Sequence, residues 1–205
     1  MIAIVDYGVG NLFSLKSSLA ALGLEAVITG DAERLEESDR IILPGVGAFG
    51  DARKKLAAAG LDKTLVSLAH RGKPLLGICL GMQLLFDCSL EFGRFEGLGL
   101  IPGRVVPIEP ELEKSGIKLK IPHIGWNKLN IVKEHPLLRN TAQGEYMYFV
   151  HSFYASDCKA DTVADTDYGV RLTAAVARDN VMGTQFHPEK SGAAGLALLR
   201  AFAEF

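Results

Sequence analysis

The chain has 205 residues, 48% of them apolar and 22% charged, which suits one domain of generous size with a substantial core. A formal net charge of −2 leaves no basic stripe for nucleic acid or for an acidic lipid surface. Its apolar stretches are too short to span a bilayer and the opening MIAIVDYG lacks a signal-peptide pattern, so a cytoplasmic location with reduced thiols is expected.

The first ninety residues read as alternating strands and helices. The strand IAIV leads to a helix over Leu12 to Leu22, with Asn11 as its cap and Gly23 as its stop. The strand AVIT, a short helix near Ala32 to Glu36, the strand RIILP and helical sequence from Asp51 to Arg71 follow. A strand over Pro74 to Ile78 then runs into a helix from Leu80 to Asp87. This βαβα order predicts an α/β fold: a three-layer, mostly parallel sheet of flavodoxin-like order, helices covering both faces. From Gly97 onward the runs GRVVPI, NKLNIV, YMYFVHSFY and VMGTQF, cut by Pro, Gly and Asn, predict hairpins and an added antiparallel portion. Ser191 to Phe205 closes the chain as a helix. Without a repeat or long linker, residues 1–205 read as a single domain.

Within LLGICLGMQLLF, residues 75–86, Cys79 falls at the strand-to-helix turn with Gly77 and Gly81 two residues to either side. That is the nucleophile-elbow pattern with sulfur in place of a serine oxygen, and a helix start favours thiolate. The three cysteines, Cys79, Cys88 and Cys158, show neither a disulfide framework nor a zinc spacing, so no metal is expected.

A thiol nucleophile needs a base, usually a histidine held by a carboxylate. His70 and His135 lie in polar contexts, whereas His123 and His151 are harder to dismiss. His187 stands out in QFHPEKS because Pro188 biases it toward extended backbone. If the extended geometry continues to Ser191, Glu189 faces the same side as His187 and Lys190 points away. Leu80 N–H is a natural oxyanion donor, and the loop PGVGAFG, residues 44–50, is placed to supply a second. That loop also spells G-x-G-x-x-G, but it follows the third strand and lacks the acidic partner of a dinucleotide site, so no nucleotide cofactor is expected.

The set DYGVGN, PGVGAFG, GICLGMQLLF, HIGWN, YFVHSFY and QFHPEKS resembles class I glutamine amidotransferases over nearly the whole chain. Within them it is similar to the glutaminase subunits of imidazole glycerol phosphate synthases, which serve histidine biosynthesis. The resemblance implies a catalytic set of Cys79, His187 and Glu189 that hydrolyses glutamine to glutamate and ammonia through a thioester. It implies a heterodimer with a (β/α)₈-barrel cyclase that consumes the ammonia, converting N'-phosphoribulosyl-formimino-AICAR phosphate to imidazole glycerol phosphate and AICAR phosphate. By the same resemblance Gly47, Gln83, His151 and Ser152 hold glutamine, and Val46 with Leu80 forms the oxyanion hole. Position 153 is Phe where many relatives carry Tyr.

Two residues have plain structural readings beside these: Gln83 as an exposed helix residue, and Trp126, in the glycine-flanked turn HIGWN, as core packing. Asn11, Trp126 and Lys190 are the candidates for a partner interface, with a solvated surface position as the alternative for Lys190. A stand-alone amidotransferase of another pathway, or a catalytically silent binding module of the same fold, stays open on the residues alone.

Overall fold

A computed structural model describes residues 1–205. In chain order the elements are β1 (Ile2–Val5), α1 (Leu12–Ala21), β2 (Ala26–Thr29), α2 (Ala32–Glu37), β3 (Arg40–Leu43), α3 (Phe49–Ala58), α4 (Leu61–His70), β4 (Leu75–Ile78) and α5 (Leu80–Leu84). The second half holds β5 (Phe86–Ser89), β6 (Phe95–Glu96), β7 (Ile101–Pro107), α6 (Glu109–Lys114), β8 (His123–Lys128), β9 (Asn130–Ile131), β10 (Tyr146–His151), β11 (Phe153–Ser156), β12 (Thr162–Asp167), β13 (Arg171–Arg178), β14 (Val181–Thr184) and α7 (Gly192–Ala203). No helix is long and apolar enough to cross a membrane.

The main sheet has the order β2-β1-β3-β4-β14-β13-β12-β9. Its first five strands are parallel and the last three antiparallel, which is the flavodoxin-like order with the added antiparallel edge. Successive strand residues go to opposite faces. Ala3, Val5, Ile41, Leu43 and Leu75 join one apolar cluster with the buried sides of α3 and α4. Ile2, Ile4, Ile42, Leu76 and Ile78 join a second with α1 and α7. A near-continuous apolar run such as IAIV is therefore what two covered faces require.

Several boundaries differ from the sequence expectation. The helical stretch expected over Asp51 to Arg71 starts earlier, at Phe49, and breaks at Gly60, whose left-handed φ of 70° caps α4. The break turns Leu56 of α3 and Leu61, Leu65 and Leu68 of α4 into one cluster. The helix expected to reach Asp87 stops at Leu84 because Phe86 to Ser89 is a strand beside β7, with Asp87 exposed and its neighbours buried. Asn11 occupies the cap position of α1, but its side chain accepts no capping bond. HIGWN is not a turn: it opens β8, which pairs with β10 as an antiparallel ribbon. On that ribbon His123, Met147, Phe149 and His151 are buried, while Ile124, Trp126 and Tyr146 are exposed. Trp126, 54% exposed, is not core.

Candidate active site

The elbow is built by backbone approach that only glycine permits. A Cβ on Gly81 would stand 1.8 Å from Leu43 O, and one on Gly77 would stand 2.6 Å from Gly81 O. With those two positions empty of side chain, β4 turns directly into α5 while packed against β3. Cys79 at the turn has φ 55° and ψ −111°, a conformation that costs a non-glycine residue on the order of 1–3 kcal/mol and clusters at functional sites. Its N–H donates to Thr184 O of β14 at 2.7 Å, and its carbonyl accepts the first helical bond from Gln83 N at 3.1 Å. The strained residue is thus clamped from both sides.

His187 follows β14 and has φ −97° and ψ 98°, extended as its proline neighbour predicts. The extended run stops there. Pro188–Lys190 forms a 3₁₀ turn, closed by Lys190 N donating to His187 O and Ser191 N to Pro188 O. Proline at the first position favours such a turn, so strand alternation does not set the direction of Glu189. The turn itself brings Glu189 back, and its Oε1 accepts from His187 Nδ1 at 2.8 Å with both side chains buried. Ser191 fixes the arrangement: its Oγ donates to His187 O at 2.6 Å and accepts from Tyr148 N at 3.0 Å.

With Nδ1 committed to Glu189, His187 presents Nε2, which is buried and meets no partner at hydrogen-bonding geometry. Burial opposes a charge on this ring. The Cys79 sulfur, acting from just outside the geometry of a formed bond, and the Glu189 carboxylate outweigh it and push its pKa up to about 9. Resting contacts of catalytic groups are commonly loose and tighten with substrate.

A cavity of about 460 Å³ opens over these groups. Cys79, Leu80, His187, Val46, Gly47, Gln83, His151 and Ser152 all line it, so residues from four separated segments converge as the sequence predicts. A larger hollow of about 880 Å³ over residues 131–143 contains no cysteine and is remote from the elbow in composition and chemistry. Tyr7 donates its hydroxyl to Pro44 O at 2.8 Å and steadies the loop bearing Val46 and Gly47. Its own ionisation is pushed upward, first by burial and then by Cys79.

Gln83 is buried rather than exposed, and its Nε2 donates to Phe153 O at 3.1 Å and to Gln185 Oε1 at 3.0 Å. His151 and His123 form a directed chain. Phe153 O can only accept, so His151 Nδ1 donates to it at 2.9 Å, and His151 Nε2 must accept from His123 Nδ1 at 3.0 Å. Both ring nitrogens of His151 are therefore taken, and its ring meets the cavity as a wall. Position 153 supplies its carbonyl to this network, which a phenylalanine does as well as a tyrosine.

Sequence reasoning missed Glu91, a buried carboxyl that lines the cavity and accepts from Phe49 N at 2.7 Å. It sits at the N-terminus of α3, where negative charge is favoured. Burial holds its pKa up, against the Phe49 N–H. One acidic residue in an irregular turn carries no spacing signal. The exposed Phe92 beside it, edge-on to Phe153 at 5.9 Å, was missed for the same reason.

The parallel sheet, the glycine-framed thiol and the buried His–carboxylate pair define an elbow-type acyl-transfer fold. Residues 3–204 match the family described as glutamine amidotransferase class-I, and the chain belongs to that family. Among its relatives is the imidazole glycerol phosphate synthase subunit HisH of Methanothermobacter thermautotrophicus, 52% identical over all of this chain and 98% of that protein. The protein of the same name from Sulfurimonas denitrificans is 50% identical, again over all of this chain and 98% of its own. A crystal structure of a glutamine amidotransferase superposes with a TM-score of 0.76 at 20% identity, covering 100% of this chain and 98% of that one. The structure of PurLQS from Thermotoga maritima gives 0.75 at 22%, covering 99% and 97%, and both likenesses concern the fold.

Proposed function

We propose that the chain is a single-domain glutaminase subunit of an imidazole glycerol phosphate synthase, hydrolysing L-glutamine and delivering ammonia to a (β/α)₈-barrel cyclase in the cytoplasm. The observation that carries the chemistry is the convergence of a strained, helix-start Cys79 with a buried His187–Glu189 pair on one cavity. At neutral pH an imidazolium pairs with the Cys79 thiolate, so the nucleophile is ready before substrate arrives. The sulfur attacks the side-chain amide carbon of glutamine, and the developing oxyanion is held by the N–H groups of Leu80 and Val46. His187 gives its proton to the departing ammonia, leaving a thioester on Cys79. The neutral ring then takes a proton from water, whose oxygen attacks the thioester and releases glutamate. Glu189 holds the tautomer and stabilises the charged ring.

Gly47, Gln83, His151 and Ser152 hold the substrate, His151 as a wall rather than by its ring nitrogens. Glu91 is the one carboxyl in the cavity lining and suits the substrate ammonium. The outer face of the β8–β10 ribbon, with Ile124, Trp126 and Tyr146, is the apolar surface offered to the cyclase. Lys190 adjoins it over the Tyr148 ring at 5.8 Å, and Trp126 meets the same ring. Asn11 begins α1, which packs on the turn carrying Lys190. The names and 50–52% identity of the full-length relatives support this assignment over a stand-alone amidotransferase.

The test is glutamate release by the chain alone and mixed with the barrel subunit, with acid-quenched mass spectrometry for a glutamyl adduct. Turnover that rises on mixing and an adduct on Cys79 are expected. Equal, adduct-free activity in both samples rejects the reading.

A further inference from the structure

Gln185 follows β14, is fully buried and does not line the cavity. Its Nε2 lies 3.7 Å from Cys79 Sγ. A buried amide could turn either its oxygen or its nitrogen toward a sulfur, and the two would act oppositely on a thiolate. The surrounding network decides which. Phe153 O has no proton to give, so Gln83 must face it with Nε2. The other hydrogen of that same nitrogen points to Gln185, which must answer with Oε1. That leaves Gln185 Nε2, a donor, at the sulfur.

We infer that Gln185 is a further functional residue of this site, donating an N–H to the Cys79 sulfur and holding it as an aimed anion. This inference rests on the glutaminase reading given above. A hydrogen bond to the charged form favours that form, and a neutral amide does so without competing for the proton that His187 must carry. The sulfur is then held by two groups of different duty: the imidazole, which exchanges its proton with the reaction, and the amide, which does not. The same chain leaves Gln83 Oε1 as the only heteroatom of the two amides without a protein hydrogen bond, on a residue that lines the cavity. Nucleophile and substrate wall are thereby held by one anchored string, and its fixed end is a backbone carbonyl.

The test compares Gln185→Glu and Gln185→Met with the unaltered chain in complex with the barrel subunit. Glutamate keeps an oxygen for Gln83 and removes only the donor at the sulfur; methionine keeps the volume and removes all polarity. Iodoacetamide alkylation of Cys79 is followed by mass spectrometry across pH, with the buried Cys88 and Cys158 as internal monitors of folding. Loss of a hydrogen bond to a charged group should raise the pH midpoint of Cys79 alkylation by about one unit and lower kcat about tenfold. For Gln185→Glu the KM should stay within about twofold, because an interaction with the nucleophile is not one with bound glutamine. A merely structural role would not move the alkylation midpoint. An unchanged midpoint in either variant that protects Cys88 and Cys158 overturns the inference while the glutaminase reading stands. Glutamine hydrolysis persisting in a parallel Cys79→Ala sample sinks the reading itself.

Discussion

The site holds two sets of buried histidines that the fold drives in opposite directions. His187 is pushed up to about 9. His151 is pushed down to about 3, chiefly by burial, with His123 and His187 adding to it against the Phe153 carbonyl. His123 is lowered to about 4 by burial. All three rings are 2–5% exposed, so burial alone does not distinguish them. Partners do: His187 is offered a carboxylate and a thiol, whereas His123 and His151 are offered a carbonyl, an amide and each other. One set is built to carry a proton through a reaction. The other is built to stay neutral and keep its hydrogen-bond direction.

Removing the thiol should break the contrast most severely. Cys79→Ser should lower glutamine turnover about a thousandfold or more, since an alkoxide is far harder to form than a thiolate. The His187 pKa should fall toward those of the other two rings. Steady-state assays of the complex and ring-proton NMR titration read the two effects, and the barrel subunit should still use free ammonia. Retained glutamine-dependent turnover would reject Cys79 as nucleophile.

Glu189→Gln is expected to cut kcat about tenfold or more while keeping shape, because the charge that stabilises the imidazolium is lost. In the same titration His187 should drop while His123 and His151 stay depressed. A fall of all three together would mean that the variant loosened the fold rather than the pair.

The contrast also shapes stability against pH. A raised pKa, as for His187, contributes stability that is complete below about 6.5 and is lost as pH climbs toward 9. The depressed pKa values of His123 and His151 give a contribution complete above about 6.5 and lost as pH falls toward 4 and 3. Stability should therefore peak near neutrality, with His151 alone giving an acid limb of about 1.4 kcal/mol per pH unit. Urea melts at several pH values check this, and Glu189→Gln should flatten the alkaline limb only. An acid limb that flattens as well would dissociate it from the neutral pair.

The smallest effect is expected at Lys190, one residue from Glu189 and on the solvent side of it. Lys190→Ala should leave basal chemistry intact and change mainly the association rate with the barrel subunit and its salt dependence, by about threefold. Stopped-flow association at two salt concentrations measures it. Identical rates at both would assign Lys190 to its ring contact with Tyr148 alone.

Much of this arrangement was legible in the chain itself. Alternating apolar runs foretold the parallel sheet because a strand covered on both faces has no polar side to show. The elbow was legible because its constraint is local: glycines two residues from Cys79 are demanded by contacts across one turn. His187 could be picked out because proline restricts its own neighbour. Other features depend on residues far apart in sequence and left no local trace. Strands β12 and β13, rich in Ala, Thr and Asp, are strands because the main sheet extends through them. The pairing of Glu189 with His187 was anticipated from strand alternation, yet a 3₁₀ turn achieves it. Glu91 acquires meaning only where it caps α3, 42 residues earlier in the chain. Periodicity and glycine spacing are set by backbone sterics within a few residues, so the sequence alone determined the sheet, the elbow and the chemical type of the site. Which histidine carries charge, which way the Gln83 and Gln185 amides point, and that Trp126 faces outward were decided by the tertiary structure. Each depends on partners brought close from distant parts of the chain.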